Sequence, residues 1–303
     1  MLSPEARQPA RGGDVVAQQW SIRSSAAMEP EQFRLWQVLL EERTGMALAP
    51  ERKQFLETAV SMRMRELGLT DYDAYYSQLV NRPPADTIME WSILTDRLTV
   101  QETSFFRHRG SYDLVEKFLR DRFSGPNPPK QFNAWSVGCS SGEEPYSLAI
   151  LMTEVFASLK VNPYWGITAT DISLPVLAKA RKGVYAARKV ELVDPVIRQR
   201  YFTRISEREF EIAPALKSRV CFARVNVLEL DKVPFQDLDL VYCQNMLIYF
   251  RRWRKREIVT RLADRMAPGG LMVLGLGEVV DWQHPQMDRV RFDNSLAYMR
   301  RTH

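Results

Sequence analysis

Two adjacent carboxylates, Glu143 and Glu144, follow a glycine turn in the stretch 137–146, VGCSSGEEPY. The residues entering that turn, QFNAWSV, are apolar and β-favouring, and those leaving it have helical length, so the unit is strand, turn, helix. In a doubly wound sheet the first such turn marks the crevice where a cofactor binds, which puts Gly138 and Gly142 in place for one. Phosphate is a poor fit. A helix N-terminus attracts anions, two acids in its first turn repel them, and the lysine of a phosphate-binding loop is missing. A cationic cofactor without phosphate fits better, and S-adenosylmethionine carries a sulfonium, an ammonium and an adenosine. The alternative is that both glutamates only stabilise the helix start through its dipole.

Three later segments converge on the same crevice. GITATD ends in Asp171, at the strand tip where a doubly wound fold bonds ribose hydroxyls; capping the helix of ISLPVLAKA is a compatible role. VNVLEL follows the third strand and brings Asn226 within reach of an adenine edge. CQNMLIYF follows the fourth and sets Gln244, Asn245 and Tyr249 over the pocket, while MAPGGLMVLG reads as a helix end, a Pro-Gly-Gly turn and a strand. The three histidines, His108, His284 and His303, lack metal-ligand spacing, which argues against zinc chemistry and a Ser-His-Asp hydrolase; no metal is expected. Cys139, Cys221 and Cys243 form no C-x-x-C pair and suit a reducing compartment.

The elements that must position these residues fall into two units. At 303 residues, 45% hydrophobic and 26% charged, the chain can bury a large α/β domain and a smaller one. Residues 1–28 are small and polar and read as a disordered tail. A small all-helical unit is expected over 29–104: a helix from Glu31 ended by Gly45, a second after Pro50, a third started by Asp71, and a fourth resuming after the break NRPPADT. Residues 105–130 read as a linker and first helix. Residues 131–303 alternate strands and helices as a doubly wound, Rossmann-like α/β domain, with SLAYMRR as last strand and a small subdomain inserted at about 184–219. No run is long and apolar enough to span a bilayer and no signal-peptide pattern opens the chain, so a cytoplasmic protein without membrane insertion is expected. The net charge of +5 is compatible with nucleic acid, a membrane surface, an acidic protein or a dispersed basic surface.

In this order and behind that helical unit, TVQETSFFRHRG, WSVGCSSGEEPYSLAI, ITATDISLPVLAKARKGVY, VNVLEL and CQNMLIYF resemble the chemoreceptor glutamate methyltransferases, the CheR family, over roughly residues 30–300. The resemblance implies an N-terminal helical domain, an α/β domain that binds S-adenosylmethionine and releases S-adenosylhomocysteine, and methyl esterification of glutamates on receptor signalling helices. It implies cofactor contacts from Thr103, Arg107, a glutamate of Glu143 and Glu144, Asp171, Asn226, Val227 and Asn245. Gln101 stands where the family usually has Asn, and Gln244 where it usually has Arg, within the same contact set.

A glutamate side chain is ionised at neutral pH and needs no general base, so the site must supply alignment and a dry pocket. Arg107 is the candidate carboxylate clamp and Tyr249 the candidate hydroxyl near the methyl group; a surface salt bridge and a half-buried core tyrosine are their alternatives. Phe105 and Phe106, just before Arg107, are expected to close an apolar lid over the methyl group. Arg52, Lys53, Arg63 and Arg65 on one helix are candidates to dock an acidic receptor face, the alternative being a solvated helix face. The partner expected is a receptor's cytoplasmic signalling domain met by a monomer, without nucleic acid. Two rival functions are a signalling module that binds the cofactor without turnover and a methyltransferase acting on nucleic acid.

Overall fold

The computed structural model describes residues 27–99 and 102–302. The expected tail, apart from Ala27 and Met28, and the candidate Gln101 lie outside the described residues. Met28 is buried in the helical core, with its N–H on Glu57 (2.9 Å).

Four helices form the first unit: α1 Pro30–Thr44, α2 Lys53–Glu66, α3 Tyr72–Val80 and α4 Pro84–Leu98. Pro30 opens α1 with a reciprocal Glu29–Gln32 capping box, and Asp71 caps α3 by accepting from Asp73 and Ala74 N–H (3.2 Å each). Pro84 is itself the first residue of α4, so that helix begins inside the expected break; a proline at this position loses no helical hydrogen bond. Trp36, Leu40, Leu56, Met64, Tyr75 and Leu79 fill the shared core.

The second unit begins with α5 Arg109–Phe123, then β1 Gln131–Val137, α6 Glu143–Leu159, β2 Tyr164–Asp171 and α7 Leu174–Lys182. The inserted piece follows: β3 Val184–Ala186, α8 Ala187–Val190, α9 Pro195–Tyr201, β4 Phe202–Arg204, β5 Glu209–Ile212 and α10 Pro214–Lys217. Its antiparallel strands make a separate sheet in the order β3-β5-β4. The chain closes with β6 Val220–Arg224, β7 Leu238–Cys243, α11 Arg252–Ala263, β8 Met266–Leu274, β9 Met287–Val290 and β10 Leu296–Arg300.

The main sheet runs β6-β2-β1-β7-β8-β10-β9, with β10 antiparallel to both neighbours and the strands from β6 to β8 parallel. Alternation along β1 feeds both faces: Phe132 and Ala134 join the core under α5 and α6, while Trp135 and Val137 join the one under α11. Because β2 lies on one side of β1 and β7 on the other, the order reverses between β1 and β7, and the crevice opens at their carboxyl ends. The Pro-Gly-Gly expected as a turn lies within the bounds of β8 but outside its pairing: the register passes from Leu238–Met266 to Leu240–Leu271, so residues 267–270 bulge out, with Gly269 at φ +74.

The two units touch closely. Gly45 ends α1 at φ +78, and a side chain there would come within 2.5 Å of the Phe250 ring. The Ala47 N–H donates to the Tyr249 carbonyl (2.8 Å), and Arg251 pairs bidentately with Glu41 of α1.

Candidate functional site

At the carboxyl end of β1, Gly138 turns at φ +75, and a side chain on it would strike Met246 at 2.7 Å. The turn lets the chain enter α6 beside a cleft lined from the sheet side by Ser140, Glu144, Asp171, Asn226, Gln244 and Asn245. Thr44, Met46 and Thr99 line it from the helical unit, and Glu102, Thr103, Arg107 and His108 from the segment between.

The adjacent glutamates part company. Glu144 faces the cleft, where its Oε1 accepts from Ser136 Oγ (2.6 Å). Burial, with Glu278 and Asp171 adding repulsion, pushes its carboxyl up to about 8, against the Ser136 hydrogen bond and the attraction of Arg107. Glu143 does not reach the cleft. It is fully buried towards the inserted subdomain, ion-paired with Lys189 and accepting from Ser141 Oγ (2.7 Å), because consecutive helical residues point about 100° apart.

Asp171 is half-buried at the tip of β2. Its oxygens accept from the N–H groups of Ser140 and Ser173 (2.9 Å each), and burial raises its pKa against those hydrogen bonds. Beside it the Ser140 Oγ is buried with no hydrogen-bond partner, a donor and acceptor aimed at ligand chemistry. Cys139 also lines the cleft, but burial near Asp171 and Glu144 raises its thiol, so it is no nucleophile.

The remaining candidates are placed as follows. Thr103 and Arg107 line the cleft; Arg107 is exposed and donates to the Glu102 carbonyl (2.6 Å). Asn226 and Val227 line it too, yet the Asn226 amide also donates to the Arg43 carbonyl of α1 (2.9 Å) and its oxygen accepts from Leu228 N–H (3.1 Å). Gln244 is buried and satisfied: Nε2 donates to Ser111 Oγ (2.7 Å) and the Leu274 carbonyl (3.3 Å), and Oε1 accepts from the Tyr242 hydroxyl (3.2 Å). Its amide thus fastens α5 to β8. Asn245 sits at φ +58 with Nδ2 2.9 Å from His108 Nε2, and Tyr249 lines the mouth, half-buried.

Two expectations are corrected. Phe105 and Phe106 do not close over the cleft: Phe105 packs edge-on against Tyr185 and Phe202 of the inserted subdomain, and Phe106 against Tyr112, so they anchor the segment instead. Arg63 is not available for docking, because Glu90 holds it at 2.6 and 2.9 Å, Glu66 pairs with it at 2.9 Å, and Tyr75 bonds Glu90 in turn. Arg52 stacks on Phe55 (4.6 Å), Lys53 pairs with Glu57 (3.6 Å), and Arg65 is exposed. Sequence reasoning missed His108, Glu278 and the helical lining residues Thr44 and Met46; of these only His108, next to Arg107, carries a signal by residue type.

A doubly wound sheet with an acid-lined crevice at its switch point and no Walker lysine defines a methyltransferase-like cofactor fold. Residues 31–99 match the family described as CheR methyltransferase, all-alpha domain, and residues 101–295 the one described as CheR methyltransferase, SAM binding domain. The chain belongs to the CheR methyltransferase family. It is 31% identical to the chemotaxis protein methyltransferase of Escherichia coli over 255 residues, 83% of this chain and 85% of that protein. It is 30% identical to chemotaxis protein methyltransferase 2 of Pseudomonas aeruginosa, over 82% of this chain and 86% of that one. Among the described residues no group of His, Cys, Asp and Glu is arranged to hold a metal, and no helix is long and apolar enough to cross a membrane.

Proposed function

We propose that this chain methylates glutamate side chains on the signalling helices of a chemoreceptor, in the cytoplasm, and that Arg107 and Tyr249 orient the carboxylate. The observation that carries the reading is the cleft itself: Glu144 and Asp171 are half-buried in its wall while an exposed arginine stands at its rim. The two acids favour a cationic ligand, and the orphaned Ser140 hydroxyl and the Asp171 carboxylate suit an adenosyl group with a ribose. When bound, S-adenosylmethionine supplies a methyl group whose transfer to a carboxylate leaves the neutral thioether S-adenosylhomocysteine.

The residues of this chain then have three tasks. Asp171 and Asn226 hold the adenosyl portion, and Asn245, steadied by His108, fixes the rim. Glu144 sets the charge of the floor. Arg107 and the Tyr249 hydroxyl align an acceptor that is already ionised, so no residue has to remove a proton. The test is incubation with methyl-labelled S-adenosylmethionine and purified receptor signalling fragments. Base-labile label, released as methanol, is expected on glutamates; base-stable label, or label entering nucleic acid instead, overturns the reading.

A further inference from the structure

Beside the cleft mouth lies a surface that neither the cofactor site nor the expected docking helix uses. Residues 251–256 read RRWRKR, five basic residues in six with a tryptophan among them. They open α11, whose first turn holds no acid, an arrangement the helix dipole disfavours. Trp253 is 55% exposed, with the Arg254 guanidinium 4.1 Å from its ring centre. The adjoining loop 275–281 is strapped to this turn: Arg256 Nη2 donates to the carbonyls of Val280 (3.4 Å) and Asp281 (3.1 Å), and Arg252 pairs with Asp281 (3.3 Å). That loop adds two exposed apolar side chains, Leu276 and Val280. Ile248, exposed and lining the cleft, donates its N–H to Glu278 of the same loop (3.2 Å), so the surface runs up to the cleft mouth.

Four exposed apolar side chains rimmed by cations are an uncommon feature of a surface with no partner. The contrast with α2 is in what the cations already hold. Arg63 is committed to Glu90 and Glu66 with only 17% of its side chain exposed, whereas Arg252 and its partner Asp281 are 70% and 74% exposed, a pair of little worth that exchanges readily.

We infer that this surface docks an acidic, amphipathic helix of the methyl-accepting protein. Trp253, Leu276 and Val280 take the apolar stripe, Arg252 and Lys255 meet the carboxylates, and the acceptor side chain enters the cleft past Ile248. The inference rests on the receptor-methylation reading and adds a binding surface to it. Charge complementarity of this kind governs the encounter rate and its salt dependence, while the tryptophan ring, covered by the docked helix, sets residence.

The test uses the full chain and a purified, glutamate-bearing receptor signalling fragment as probe. Trp253→Ala and the double variant Arg252→Glu, Lys255→Glu should each raise KM for the fragment about tenfold, the double variant alone flattening its salt dependence, with kcat and S-adenosylmethionine affinity unchanged. Should the charge reversals not fold, Arg252→Gln with Lys255→Gln gives the same readout without reversal. Direct binding of the fragment, followed by anisotropy, separates the two readings. A wild-type chain that binds the fragment through this surface but never labels it keeps the surface and sinks methyl transfer. Labelling with unchanged KM in every variant sinks the surface. A chain that neither binds nor labels sinks both, and variants that lose a short DNA duplex or anionic vesicles while holding the fragment assign the surface elsewhere and overturn the inference.

Discussion

On its sheet side the cleft presents Glu144 and Asp171, two half-buried carboxylates held by a serine hydroxyl and two backbone N–H groups. On its helical side it is lined by Thr44, Met46 and Thr99, none of which carries charge. The helical unit reaches the sheet unit by other means. Ser92 of α4 accepts from Leu174 N–H (2.6 Å), Asp96 accepts from Ser173 Oγ (2.7 Å), and the Arg43 carbonyl accepts from Asn226 (2.9 Å). On the proposed function one wall carries the chemistry and the other holds that wall in register. Changes on the sheet side should alter what the cleft binds, and changes on the helical side how well its parts stay aligned.

The sharpest probe of this division is Asp171→Ala. It removes the acceptor of two amide bonds and, on the proposed reading, of the ribose hydroxyls, so S-adenosylmethionine affinity should fall by about a hundredfold, roughly 3 kcal/mol, as charge-assisted bonds are the strong ones. Calorimetry on the purified variant is the check, and affinity within threefold of the wild type would remove Asp171 from the site.

Arg107 comes next and belongs to neither wall. Because its contact within the chain is to the Glu102 carbonyl and it is exposed, replacing it should cost little stability. Arg107→Ala and Arg107→Lys should both slow single-turnover methyl transfer by about tenfold to a hundredfold with the melt preserved, since a point charge does not reproduce a planar fork. A near-normal rate in the alanine variant would make it a bystander, and a collapsed melt would make it structural.

Glu144 yields a pH signature. Its carboxyl is neutral below about 8 and ionised above. A sulfonium favours the ionised form, so S-adenosylmethionine should bind more tightly as pH rises from 6 towards 8.5 and release a proton as it binds. S-adenosylhomocysteine, with the same amino group and no sulfonium, should depend less on pH, and Glu144→Gln should abolish the difference. The effect on the fold has the opposite sense: the folded chain keeps a proton that an unfolded glutamate loses near 4.5, so this stabilisation is full below that value and is lost as pH rises through about 8. Equal pH slopes for the two ligands would count against Glu144 as the charged floor.

Sequence legibility divides along the same line. The sheet wall was readable where its residues sit at or just beyond a strand tip and the doubly wound order fixes the position: Asp171, Asn226 and Asn245 all line the cleft. Glu143 and Glu144 could not be told apart, since both are acids at a helix start and only the packing of α6 against Lys189 decides which faces in. Arg63 looked like a surface cation because its partner Glu90 lies 27 residues away on another helix. The helical lining was invisible, since Thr44 and Met46 act by position and have no chemical signature. The strands β3 and β9, three and four residues long, gave too little period to be seen.

The smallest expected effect falls on the helical side and tests the division most directly. Helix α7 begins immediately beyond Asp171, and α4 of the other unit supplies partners for its first turn: Ser92 takes the Leu174 N–H, and Asp96 orients the Ser173 hydroxyl. Ser173 in turn donates its own N–H to Asp171, so the carboxylate proposed to meet the ribose is aimed by a turn that the helical unit caps. Losing one such cap costs about 1 kcal/mol when the site is buried. Ser92→Ala, and separately Asp96→Asn, should therefore lower the melt by a few degrees and weaken S-adenosylmethionine binding about threefold to tenfold, with the methyl-transfer rate at saturating cofactor unchanged. Ser92→Thr keeps the hydroxyl and should recover most of the affinity. If the caps matter only to stability, the melt will fall while the cofactor affinity stays fixed, and the helical unit would then have no part in aligning Asp171.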